Sequence, residues 1–342
     1  MNGVKHGPEP KVSAADLTTA IARVDAVPAD SQMTTSPVGD LGALDQGMDD
    51  GSFFQSVEQL RAGVDRRLAQ LIPAESQAPS ELGGVVRYSL LAPGKRFRPL
   101  LTLLVARDLG APEGLALDSA CAFEMVHAAS LILDDLPSMD DAAMRRGRET
   151  AHKAFGEANA ILGAVGLLNR AYGVVAEDPN LSSDLRIAIS CELSEAVGFR
   201  GLTAGQSRDL DRRGRSLNND EIDLINHQKT GVLLVAAARV GALVAGAEAE
   251  RRQAIGEFGR RIGLAFQIRD DLIDQEGGES VGKDLGKDAD MPTLVTSLGI
   301  DGARAAMNGY LDAAEAALRT AGAGQGVWRY VQGLFVGRKA AA

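Results

Sequence analysis

The sequence predicts an all-α protein, and two observations carry that prediction. Its 342 residues are 45% hydrophobic but only 4% aromatic, and the Ala and Leu that supply much of the apolar content favour helix. Apolar residues also recur at helical spacing along most of the chain. The length suits one large helical domain or two smaller ones. A net charge of −10, with no gathered basic run, argues against a nucleic-acid surface. The only two cysteines, Cys121 and Cys191, lie in apolar helical contexts; both are expected in the core, and neither a disulfide scaffold nor a CxxC metal site is available.

Taken in order, residues 1–50 mix Pro, Ser, Thr, Gly and Asp, with only a short helical pattern near Ala14 to Arg23. They are expected to form a flexible tail, leaving 51–342 as the folded domain. No signal peptide is visible at Met1-Asn2-Gly3-Val4-Lys5. A first helix follows from Phe53, Val57, Leu60, Val64, Leu68 and Leu71. Gly83-Gly84 then leads into a short helix over Val85 to Leu91, and apolar helices are expected over Leu100 to Leu109 and Leu115 to Leu133. Ala154 to Ala176 and Leu185 to Gly205 read as two long helices rich in Ala, Leu and Gly. Asn218-Asn219-Asp220-Glu221 looks like a helix start with acids in the first turn. The most apolar run, Val232 to Gly246, is interrupted by Arg239 and too short to span a bilayer. Glu257 to Leu272, Arg304 to Leu318 and Trp328 to Lys339 complete the helices, and the expectation is a cytoplasmic protein without a membrane span.

The chemistry concentrates in two acidic clusters. In Asp134-Asp135-Leu136-Pro137-Ser138-Met139-Asp140-Asp141 four carboxylates surround one proline, at the end of a helix on which Glu124, His127, Ala128 and Leu131 face one way. Pro137 should end the regular turns. Like charges this close call for a divalent cation, and hard oxygen ligands without thiols or an imidazole cluster favour magnesium over zinc. Far along the chain, Gln267, Asp270 and Asp274 share a helical face in Phe266-Gln267-Ile268-Arg269-Asp270-Asp271-Leu272-Ile273-Asp274. Either cluster alone reads equally well as an acidic helix end on the surface.

Between and around the clusters lie cationic and amide motifs. Gly94-Lys95-Arg96-Phe97-Arg98-Pro99 sets three cations in four residues before a helix start, a pattern suited to phosphate. Met144-Arg145-Arg146-Gly147-Arg148 offers bidentate arginines beside a glycine. Gly205-Gln206-Ser207-Arg208-Asp209-Leu210 reads as a helix-capping network or as part of the site. His227-Gln228-Lys229-Thr230-Gly231 ends the helix that begins at Asn218, and Val281 to Asp288 is a glycine-spaced loop able to fold over phosphates with Lys283 and Lys287.

Together these motifs resemble the trans-isoprenyl diphosphate synthases over roughly residues 55 to 340. The resemblance implies a single bundle of roughly ten or more helices around a central cavity, of isoprenoid synthase type. It implies that Asp134, Asp135, Asp140, Asp270 and Asp274 hold about three Mg²⁺ ions, with Mn²⁺ able to substitute. Asp134, Asp135, Lys229, Asp270 and Asp271 become the catalytic candidates. Lys95, Arg98, His127 and Arg146 would bind isopentenyl diphosphate, while Arg145, Lys229, Thr230 and Lys283 would face the allylic diphosphate, with Gln267 a further substrate-binding residue. A homodimer is implied too. One departure stands out: many relatives place Gly-Lys where this chain has Met291-Pro292, so one phosphate-contacting lysine of the pattern is absent.

The small Ala129 and Ser130 before Asp134, and the two extra residues Pro137-Ser138, are similar to bacterial geranylgeranyl diphosphate synthases of the carotenoid and chlorophyll pathways. A twenty-carbon product is therefore expected, with Met125 or Phe155 as alternative floors of the cavity. A farnesyl diphosphate synthase, a class I terpene cyclase and a noncatalytic partner subunit are the rival readings.

Overall fold

The computed structural model describes residues 49–72, 78–211, 218–275 and 293–335, and the expectations for the first 48 residues, the loop 281–288, Met291-Pro292 and residues 336–339 of the last helix fall outside them. Helix α1 (Asp50–Leu71) buries Phe53, Val57, Val64, Leu68 and Leu71, and Asp49 caps it by accepting from the Ser52 N–H. Helix α2 (Ser80–Leu90) runs through Gly83 and Gly84 instead of starting after them. Packing explains one of the two glycines, since a Cβ on Gly84 would come within 3.0 Å of the Phe155 ring.

The core is built on α3 (Phe97–Asp108) and α4 (Leu117–Asp134), together with α10 (Val232–Val244), each apolar nearly all round. Helices α3 and α10 approach until a Cβ on Gly241 would stand 2.6 Å from the Thr102 carbonyl oxygen. The Thr102 hydroxyl then donates to the Ala237 carbonyl across the contact, at 2.9 Å. Cys121 is buried in α4, whereas Cys191 is exposed. On α7 (Ser183–Val197) the buried positions are Ile189, Leu193 and Ala196, and Cys191 faces away from them, against the expectation.

Two expected long helices are each broken by glycine. Gly156, at φ 82°, separates a short α5 (Ala151–Phe155) from α6 (Glu157–Glu177). Helix α7 stops at Gly198, and α8 (Leu202–Asp211) starts afresh; a Cβ on Gly201 would meet the Ala196 carbonyl oxygen at 2.1 Å. The all-α expectation holds among the described residues, apart from one ribbon of β1 (Met144–Arg145) and β2 (Arg148–Glu149). Its two turn residues, Arg146 at φ 54° and Gly147 at φ 74°, both adopt the positive φ that a tight hairpin turn needs.

Helix α9 (Asn219–Asn226) begins with a reciprocal cap between Asn218 and Glu221, as its sequence suggests. It passes into a π-turn over His227–Gly231 and on into α10. Helix α11 (Ala249–Gln275) carries the second acidic motif, α12 (Leu294–Ala321) packs along it with a kink at Gly299, and α13 (Gly326–Phe335) closes the described chain.

Candidate functional site

The first acidic motif is shaped by a loop that folds back on its own helix. Asp134 is the last residue of α4 and Asp135 its C-cap. The Asp140 N–H donates to the Asp134 carbonyl at 2.9 Å and the Ala142 N–H to the Asp135 carbonyl at 3.2 Å, so the residues around Pro137 bulge outward and Asp140 returns to the helix end. Thr150 braces the return by donating its N–H to Ala143 O and its hydroxyl to Ala142 O. Asp135 is buried and bound by Arg145, whose Nε lies 2.8 and 2.9 Å from its two carboxylate oxygens. Burial pushes the Asp134 carboxyl up from 3.8 to about 6, Lys229 opposes that rise, and Asp140 adds to it.

A carboxyl raised in the folded state stabilises the fold most below its ordinary value, and the contribution is lost as pH climbs through the folded value. The metal-free protein should therefore lose at most about 3 kcal/mol between pH 4 and pH 7 on account of Asp134. Thermal melts of wild type and Asp134→Asn across this range check it, because the variant should lack that part of the slope.

Lys229 stands in the π-turn, and its Nζ lies 2.5 Å from Asp209 of α8. Burial works against the Lys229 charge, but Asp209 and Asp134 outweigh it and hold the ammonium above its usual value. The glycine of the Gly205-Gln206 motif makes this pairing possible, since a Cβ on Gly205 would come within 2.5 Å of the Lys229 backbone nitrogen. The motif is thereby joined to Lys229, and Asp209 is a residue that the sequence analysis left unassigned. Thr230 follows Lys229 in the same turn and is half-buried.

The cations gather around His127, two turns before Asp134 on nearly the same face of α4. Arg146 lies over the turn before α3, donating to the Pro93 carbonyl at 3.2 Å, and a Cβ on Gly94 would stand 2.9 Å from its NH1. Lys95 is exposed and Arg98 half-buried. Burial first, then the charges of Arg98, Arg146, Arg145 and Arg96, push His127 well below 6.5, so its ring is neutral at pH 7. Burial also lowers Arg98 to about 10, against the pull of Glu124, which leaves it charged. The structure thus brings Arg98, His127, Arg145 and Arg146 into one electrostatic neighbourhood.

The second motif approaches through aromatic packing. Phe266 sits 4.6 Å from Phe97, ring centre to ring centre, and 5.0 Å from Phe335 of α13, which sets α11 beside the cationic turn. Gln267 donates its amide to Asp271 at 2.9 Å. Asp270 keeps 62% of its side chain exposed and lies 3.7 Å from Arg269. Asp274 is placed on α11 by its backbone alone, and Lys283 falls outside the described residues.

Among the described residues no three His, Cys, Asp or Glu side chains converge into a ready-made metal cage. The donor set nonetheless fits Mg²⁺, which takes one or two carboxylates and completes its shell with water and substrate phosphate. The raised Asp134, crowded by Asp140 and Asp135, is the carboxylate that a cation would relieve.

A family model described as polyprenyl synthetase matches residues 79–308. A geranylgeranyl diphosphate synthase of Pantoea ananas is 47% identical over 247 residues, covering 71% of this chain and 80% of its own. A farnesyl diphosphate synthase of Geobacillus stearothermophilus is 38% identical over 292 residues, covering 84% and 98%. Among solved structures, an FPP/GFPP synthase of Zymomonas mobilis superposes with a TM-score of 0.73 at 29% identity, over 82% of this chain and 98% of that one.

Proposed function

Because the chain belongs to the polyprenyl synthetase family, we propose that it is a trans-prenyltransferase joining isopentenyl diphosphate to an allylic diphosphate, with geranylgeranyl diphosphate as product. One observation carries the reading: Lys229, paired with Asp209, feels the charge of Asp134, while Arg98 and Arg146 act on His127, two turns earlier on nearly the same face of α4. Two anion sites of different character therefore lie about 10 Å apart along one face of α4.

Diphosphate leaves poorly until its charge is neutralised, and Arg145 and Lys229 supply positive charge where negative charge develops. Mg²⁺, about three ions held through Asp134, Asp135, Asp140, Asp270 and Asp274, would supply the remaining neutralisation, and Mn²⁺ could replace it. The allylic C–O bond breaks with its electron pair on the departing oxygen. A bond then forms from the double bond of isopentenyl diphosphate to the allylic cation, and a proton leaves to the released diphosphate. Lys95, Arg98 and Arg146 anchor the second diphosphate, and neutral His127 donates one N–H to it. Apolar walls keep water from the cation.

His127→Ala is expected to raise the KM for isopentenyl diphosphate about tenfold, the loss of one hydrogen bond to a charged group. His127→Gln, which keeps a donor, should raise it less; equal effects on both substrates would exclude His127 from this pocket.

Helix α6 supports the proposed homodimer. Its inner residues Ala160, Gly163, Ala164, Leu167 and Ala171 are buried, while Ile161, Leu162 and Val165 are exposed, as is Ile187 of α7. By length and composition α6 is also apolar enough to cross a membrane, with 39% of its most apolar window buried. The buried inner face favours a subunit contact in a cytoplasmic enzyme, and light scattering of the purified protein tests it.

The deciding assay incubates pure protein with Mg²⁺, isopentenyl diphosphate and each of the three common allylic primers, followed by product chromatography. A twenty-carbon product is expected. A fifteen-carbon one would make the protein a farnesyl diphosphate synthase, and no product would favour a noncatalytic partner subunit.

A further inference from the structure

Arg96 stands between the two candidate phosphate-binding cations of the turn, yet it points away from both. Only 4% exposed, it directs Nε to Asp65 of α1 at 2.7 Å, NH1 to Glu124 of α4 at 2.8 Å and NH2 to the Ala92 carbonyl at 2.8 Å. Its backbone sits at φ 49° and ψ 39°, a left-handed conformation that L-residues avoid unless surrounding bonds enforce it. Glu124 is itself buried, at 4% exposure, and precedes His127 by one helical turn.

We infer that the bonds from Arg96 to Asp65 and Glu124 form a tether that fixes the turn carrying Lys95 and Arg98 relative to His127. Arg96 is thereby a positioning residue, and its fork of donors is spent on protein acceptors instead of substrate. The tether ties three elements together: α1 through Asp65, α4 through Glu124, and the turn through its own backbone. Arg146 packs against Gly94 of that same turn, so its position depends on the tether as well. Lysine cannot replace the fork, because one ammonium cannot reach three separated acceptors in a plane. The inference rests on the proposed assignment of Lys95 and Arg98 to isopentenyl diphosphate.

The test compares wild type with Arg96→Lys and Glu124→Gln in steady-state assays, with calorimetric binding of isopentenyl diphosphate as a second readout. Arg96→Lys should raise the KM and Kd for isopentenyl diphosphate tenfold or more, while the KM for the allylic diphosphate and kcat stay within twofold. Glu124→Gln keeps an acceptor for Arg96 and should move the same constants about threefold, which secures the test should Arg96→Lys fail to fold. Parallel shifts for both substrates, or a fall in kcat and melting temperature alone, would reduce Arg96 to a general structural role and overturn the inference. Wild type that neither binds isopentenyl diphosphate nor turns over would instead overturn the proposed function.

Discussion

Asp134→Asn is expected to lower kcat roughly a thousandfold while leaving the folded protein as stable as wild type, or more so, at pH 7. The two effects have one origin. Burial and the nearby Asp140 and Asp135 make an ionised Asp134 unfavourable without a cation, which is why its carboxyl rises to about 6. An amide of the same shape removes that strain and also removes the charge that draws the metal. A thousandfold loss corresponds to about 4 kcal/mol of transition-state stabilisation. Turnover assays beside melting curves check both halves, and activity within tenfold of wild type would show that Asp134 is not a metal ligand. Asp135→Asn provides a contrast, because Asp135 is engaged by Arg145. Its loss should weaken binding of the allylic diphosphate through a freed Arg145.

Ser130→Phe is expected to shorten the main product from twenty carbons to fifteen. Four residues before Asp134 on a regular helix, Ser130 lies about 40° round and about 6 Å below it, on the face that carries Asp134. The Ser130 side chain is half-buried and not enclosed in the core, so a phenyl ring there is expected to overpack it less than at a fully buried position. Eleven residues before Asp134, the fully buried Phe123 returns to nearly the same face, about 16 Å down. Met125, nine residues before Asp134, falls on the opposite face of α4. Phe155 instead packs edge-on against Tyr88, at 5.3 Å. Chromatography of products from the variant settles the matter: an unchanged twenty-carbon product would mean that the chain does not grow past Ser130.

Most helices were legible because burial of one face writes a period into the chain. Phe53, Val57, Val64, Leu68 and Leu71 show it in α1, and the cap at Asn218 shows where α9 begins. The breaks at Gly156 and Gly198 were less visible, since glycine within an apolar run is compatible with both a helix and its end. Two-residue strands such as β1 and β2 are too short to show any period.

By itself, the sequence determined the helical class, the two acidic motifs and the residue types able to bind diphosphate, because periodicity, carboxylate spacing and cationic turns are local properties. Only the tertiary structure decided which partner each charge meets. Arg145 goes to Asp135, Lys229 to Asp209, and Arg96 turns inward to Glu124. Those pairings join residues that lie ten, twenty and twenty-eight positions apart. The local pattern is silent on them because a side chain's partner is set by how helices pack, through close approaches such as Gly205 against Lys229.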